Sequence, residues 1–201
     1  MVDKEPTTNN NFPLQVFVSY EWGKDDQKNV KVRSDFRWQS LRATLQLVAD
    51  EVMKRAKGYE AGDNVLDIRI NRLRGRHGQF ILRTLQQRIE RGDILIMDIG
   101  SNDGAGLNSN VLIELGIALG LNKMVLEGLF ILKPKDAILP SDLRGILITD
   151  YTLKDGKIQI VDAGGLRAAL RTTLVNLAAE RRMIGAKKKP GVEIEDEDPK
   201  S

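Results

Sequence analysis

The sequence contains no cysteine and a single histidine, His77. The first absence removes disulfides, thiolate nucleophiles, iron-sulfur clusters and cysteine-based zinc sites together. The second leaves a Ser-His-Asp triad one residue to use and excludes a metal site built from several histidines. No uninterrupted run of about 18 apolar residues occurs, so no membrane span is expected. Residues 1–12 are polar, lack an apolar signal region and read as a flexible leader of a cytoplasmic chain. The 31 lysines and arginines nearly cancel the 28 acidic residues, so the net charge of +3 argues only weakly for a nucleic-acid partner. Any chemistry must come from carboxylates, hydroxyls and backbone.

What is present fits one α/β domain with a real core: 201 residues, 41% of them hydrophobic. Leu14 to Tyr20 is an apolar, β-branched run feeding a polar loop, as a buried strand would. From Trp38 to Lys57, Leu41, Leu45, Val48, Val52 and Ala56 recur at helical spacing and Gly58 closes the segment. Val65 to Leu73 alternates apolar and charged residues and reads as an exposed or edge strand with a basic outer face. Gly78 to Arg91 is a second amphipathic helix stopped by Gly92, followed by Asp93 to Ile99, apolar enough for the centre of a parallel sheet. Gly100 to Asn108 is turn chemistry, with Ser109 or Asn110 placed to cap a helix running to Leu121.

Met124 to Leu132 and Gly145 to Tyr151 read as further strands around a loop bracketed by Pro134 and Pro140. Asp155-Gly156 marks a hairpin turn, and Leu166, Leu170, Leu174, Leu177 and Ala178 define a last helix. Residues 185–201 alternate basic and acidic blocks and read as a disordered tail, leaving 13–184 as a single domain. The order of elements predicts an open, mostly parallel sheet with helices on both faces. In such sheets ligands bind beyond the carboxyl ends of the strands. That selects Ser19, Tyr20, Glu21 and Trp22; Asp98, Gly100, Ser101, Asn108 and Asn110; and Ser141 with Asp142.

Glu114 stands out because Val111, Leu112, Ile113, Leu115, Ile117, Ala118 and Leu119 around it are apolar. It is either a helix-start carboxylate serving free N–H groups or a catalytic carboxylate on a cleft floor. Asp98 reads as a capping or loop-bracing acid ahead of a second active-site carboxylate. Ser19, Tyr20 and Trp22 either line the cleft mouth or pack. Ser141-Asp142 reads as a cap for the next turn ahead of a role in closing the site. Arg72, Arg74 and Arg76 read as a solvated loop or as contacts to phosphate or nucleic acid, and His77 as a loop histidine.

Phe17-Val18-Ser19-Tyr20 resembles the opening strand of TIR domains. Asn110 to Gly116 resembles the NV..ELG signature of bacterial TIR-like nucleotide-binding proteins, and Leu139 to Ile146 (LPSDLRGI) resembles their PSDL.GI element. With Gln79 to Asp98, the resemblance covers Leu14 to Tyr151 in the family's order. It implies a flavodoxin-like, TIR-like fold and cleavage of the nicotinamide N-glycosidic bond of NAD, with Glu114 catalytic and NAD a substrate, so that no separate cofactor is needed. The same helix also resembles nucleoside 2-deoxyribosyltransferases, in which case Asp98 would protonate a departing base. A non-catalytic nucleotide-binding TIR adaptor is the third reading. TIR-like relatives often carry arginines just before this helix, whereas this chain has none between Gly100 and Asn122. Arg72, Arg74, Arg76 and His77, or backbone N–H groups of the glycine-rich loop, then become the candidates for holding phosphate. The family likeness further implies antiphage defence, with control by a sensor protein or by homo-oligomer formation.

Overall fold

The computed structural model describes residues 13–21, 28–61, 66–72, 81–101, 106–121, 128–143, 148–154 and 157–188. In chain order these form β1 (Leu14–Ser19), α1 (Lys28–Ala56), β2 (Tyr59–Ala61), β3 (Ile68–Arg72), α2 (Ile81–Arg91) and β4 (Ile94–Asp98). There follow α3 (Ser109–Leu121), β5 (Leu129–Pro134), a 3-10 turn at Ser141–Leu143, β6 (Ile148–Lys154), β7 (Lys157–Ile160), α4 (Ala163–Glu180) and β8 (Ile184–Lys188).

Six strands make one sheet in the order β3-β1-β4-β5-β6-β7. Every pair is parallel except β6 with β7, where Lys154 faces Lys157 in an antiparallel register. With β2 outside this sheet, the parallel strands run second, first, third, fourth, fifth, the flavodoxin-like order. β4 is buried along its whole length, as its unbroken apolar run requires. Its side chains alternate between two cores. Ile94 and Ile96 join Leu41, Val48 and Leu170 on the α1 and α4 side, while Leu95 and Met97 join Ile89, Val111 and Leu115 on the α2 and α3 side. Each fully buried side chain of this kind contributes about 1.5–3 kcal/mol.

Helix α1 and the chain past Gly185 differ from the sequence reading. Helix α1 begins at Lys28 instead of Trp38, because Lys28 to Arg37 is helical without carrying the apolar spacing that marks the rest. β5 is described from Leu129 and β6 from Ile148, with 122–127 and 144–147 outside the described residues. The chain past Gly185 also continues as β8, where Lys188 pairs with Tyr59 and Ile184 with Ala61 in an antiparallel two-stranded sheet. Backbone pairing holds this segment, a force that a search for apolar side chains does not register. Residues 189–201 and 1–12 lie outside the described residues.

The end of α4 is fixed at the edge where the strands begin. Arg181 pairs with Asp93 and its guanidinium also reaches the carbonyl of Pro13 at 3.5 Å. The Met183 N–H then bonds to the Ala178 carbonyl at 2.8 Å and the Arg182 N–H to that of Ala179 at 3.0 Å, the Schellman pattern. Arg182 adopts φ 54° to close it. A residue with a Cβ is strained there by about 1 kcal/mol. Arg182→Gly should therefore raise the unfolding free energy by about 1 kcal/mol in urea titration, and a loss of stability would show that the Arg182 side chain outweighs the strain.

Candidate active site

Strand order sets the first contact of the site. Because β1 and β4 are parallel neighbours, with Ser19 beside Met97, the end of β1 lies next to the segment that leads into α3. Helix α3 turns Val111, Leu115 and Ala118 into the core. Glu114 falls on the same stripe, three residues after Val111 and four before Ala118. Its half-buried carboxylate accepts a hydrogen bond from the hydroxyl of buried Ser19. Burial pushes the Glu114 carboxyl above its ordinary range, and the Ser19 hydrogen bond pulls it partly back.

Glu114 is not a helix-start carboxylate. The first turn of α3 holds no acidic residue, and the cap is Asn108, whose Oδ1 accepts the Val111 N–H at 3.0 Å. Ser109 and Asn110, the expected caps, sit exposed in the first turn instead. Asn108 takes the role because its own N–H is fixed by the Ile99 carbonyl at 2.8 Å. The segment before it folds back on itself. Gly100 bridges to Leu107, the Ser101 N–H bonds to the Gly106 carbonyl at 2.9 Å, and the Gly106 N–H bonds to the Ser101 hydroxyl at 3.0 Å.

A second polar cluster lies on the opposite side of the sheet. Asp98, 0% exposed, points with Ile96 toward α1, where Arg37, 1% exposed, meets its Oδ2 at 2.5 Å. The Asp98 Oδ1 accepts from the Tyr151 hydroxyl at 2.7 Å and from the Gly100 N–H at 3.1 Å. Arg37 also donates to the Tyr151 oxygen and, at 3.2 Å, to the Gly100 carbonyl. Burial pushes the Asp98 carboxyl upward against the opposing pull of Arg37, Tyr151 and the Gly100 N–H. Burial, with Asp98 adding to it, raises the Tyr151 hydroxyl far above its ordinary value, so it stays a donor. Gly100 has no room for a side chain: a Cβ would stand 2.2 Å from the Tyr151 oxygen and 2.6 Å from Pro134 Cδ.

This arrangement decides between the alternative readings of Asp98 and Tyr20. Asp98 braces the loop and is sealed from solvent on the far face from Glu114, so it is not placed to contact substrate or to protonate a departing base. Tyr20, only 2% exposed, does not line a cleft mouth but stacks on Trp38 with centroids 6.1 Å apart. The Arg72 guanidinium lies over Trp38 at 4.5 Å and over Tyr20 at 5.9 Å, so this candidate phosphate contact covers an aromatic pair at the sheet edge. Glu21 is half-buried at the start of its loop, and Ser141 is exposed in the 3-10 turn that also contains Asp142. Trp22, Arg74, Arg76 and His77 lie outside the described residues.

Arg37 is the residue that sequence reasoning missed. Only its position one residue before Trp38, on what proves to be the inward stripe of α1, marks it as different from the solvated arginines. Two small apolar cavities lie in the core on the α1 and α4 side, one lined by Leu41, Ile96, Leu132 and Leu166 and the other by Val16, Val48, Ile70 and Leu174; neither includes Glu114. Among the described residues no group of three or more His, Cys, Asp or Glu side chains is placed to hold a metal ion. None of the described helices is long and apolar enough to cross a membrane. Compared with known proteins, the chain matches no protein-family model, and no curated protein matches it in sequence.

Two outcomes follow from the two carboxylates. Asp98→Asn leaves the buried Arg37 facing a neutral amide, and unfolding should become easier by about 3–5 kcal/mol in denaturant titration. Glu114→Gln should act the other way. A carboxyl whose folded value lies above the ordinary 4.5 binds its proton more tightly when folded, so the parent loses stability as pH rises from 4.5 through that higher value. The variant should therefore be the more stable protein at neutral pH and no more stable below pH 4.5, as thermal melts across that range would show.

Proposed function

We propose that the chain is a TIR-like NAD glycohydrolase that cleaves the nicotinamide N-glycosidic bond with Glu114. The observation that supports this reading best is the Ser19–Glu114 pair, half-buried beyond the carboxyl ends of β1 and β4. That is the point of an open α/β sheet where strand order reverses and small molecules bind. The likeness of Phe17 to Tyr20, Asn110 to Gly116 and Leu139 to Ile146 to TIR-like segments supplies the reaction.

One working carboxylate suits this bond. Nicotinamide departs from a cationic ring, so the C1′–N bond breaks with its electron pair neutralising the pyridine nitrogen, and no general acid is needed. Water adds its oxygen to C1′ and releases a proton to solvent. Glu114 accepts hydrogen bonds from the ribose hydroxyls and stabilises the oxocarbenium-like charge from a partly dehydrated position, where such electrostatics are strongest. Ser19 keeps the carboxylate aimed and favours its ionised form. The anionic phosphates of NAD are held by N–H groups of the loop and helix start, with Arg74 and Arg76 as further candidates. By the same likeness the protein is a cytoplasmic antiphage effector, switched on by a sensor protein or by self-assembly. Equal activity of a strictly monomeric preparation with and without any partner would count against that control.

Incubation with NAD and mass spectrometry of the products tests the reading. Nicotinamide release is expected from the parent, with kcat lower by about 10²–10³-fold in Glu114→Gln. Activity should fall in acid as Glu114 protonates, with the midpoint above that of an exposed glutamate. Ser19→Ala removes the bond that favours the ionised form, so its acid limb should move to higher pH. Binding of NAD without turnover under any condition would leave a non-catalytic nucleotide-binding module.

A further inference from the structure

The proposed chemistry leaves the Arg37, Asp98 and Tyr151 cluster unused, although it ties α1, β4 and β6 together at the end of the sheet where Glu114 stands. The cluster grips Gly100 at both of its backbone groups, its N–H through Asp98 and its carbonyl through Arg37. The Tyr151 hydroxyl and Pro134 also fill the space where a side chain at Gly100 would go. From Gly100 the hydrogen-bonded path to α3 is short. Gly100 bridges to Leu107, Ser101 bonds to Gly106, and Asn108 bonds back to Ile99 and forward to Val111. One helical turn further, Glu114 meets Ser19.

We propose that Arg37 and Tyr151 are positioning residues for Glu114, acting through Asp98 and Gly100 on the segment that carries Asn108 to the start of α3. They touch no substrate: both are sealed beneath the sheet on the side away from Glu114. The catalytic consequence rests on the proposed glycohydrolase reading, while the positioning itself can be measured without any substrate. When the cluster is loosened, the first turn of α3 shifts, the Ser19–Glu114 contact opens, and water reaches the carboxylate. Burial is the larger influence on Glu114, so its titration then moves down, toward that of a surface glutamate.

The test uses the full chain labelled with 13C at the glutamate carboxyls, with the Glu114 signal identified by its loss in Glu114→Gln. Tyr151→Phe and Arg37→Lys are compared with the parent and with Leu170→Ala, a core truncation on α4 that weakens packing far from α3. The expected result is a lower titration midpoint for Glu114 in Tyr151→Phe and Arg37→Lys and an unchanged one in Leu170→Ala. With NAD as substrate, kcat of Tyr151→Phe should fall about 10-fold to 100-fold while KM stays within about twofold. An unmoved Glu114 midpoint in Tyr151→Phe overturns the proposal, and that variant decides alone if Arg37→Lys does not fold. An inactive parent whose midpoint still moves in Tyr151→Phe overturns the glycohydrolase reading and supports the positioning. An active parent with no movement does the reverse.

Discussion

Two opposite charges, Arg37 and Asp98, meet at the end of the central strand with almost no exposure to water. Dehydrating ions of this size costs several kcal/mol each, and attraction alone seldom offsets it. Here a phenol and both backbone groups of Gly100 add hydrogen bonds to the pair. The contact therefore specifies geometry more than it adds stability. It obliges α1, β4, β6 and the loop after β4 to converge on one point, a demand that an apolar cluster of the same volume would not make. Glycine at position 100 is part of that demand, since the loop must approach the phenol too closely for any side chain.

The sheet then separates two kinds of carboxylate. Asp98 is neutralised and enclosed on the α1 and α4 side, whereas Glu114 on the α2 and α3 side has a serine hydroxyl for a neighbour. A carboxyl on the inward stripe of an apolar helix weakens the fold whenever it is ionised.

Strong periodic segments were readable in the sequence for simple reasons. The Asp93 to Ile99 run is apolar on both faces up to Asp98, so it had to be a central strand, and the Asp-Gly pair between two β-branched stretches predicts the antiparallel pairing that β6 and β7 show. The alternation of Val65 to Leu73 placed it at an edge, where β3 is found. Glu114 was visible because its neighbours are apolar. Its partner was less so, since Ser19 lies 95 positions away and only the strand order brings the two together. The cap was misplaced by one or two residues because Asn108, Ser109 and Asn110 are all good capping types, and only the preceding backbone bond to Ile99 selects among them. Arg37 was hidden by its chemistry: arginine on a helix reads as solvated until a buried acid is shown opposite it.

Both margins of the six-stranded sheet are defended. β3 turns Arg69 outward and ends in Arg72, while β7 is four residues long and opens with an exposed lysine. Charged or short border strands discourage the addition of a strand from another molecule. Ribbon-like growth by continuing the six-stranded sheet from one copy to the next is therefore disfavoured, which directs any association of this protein toward its helical and loop surfaces.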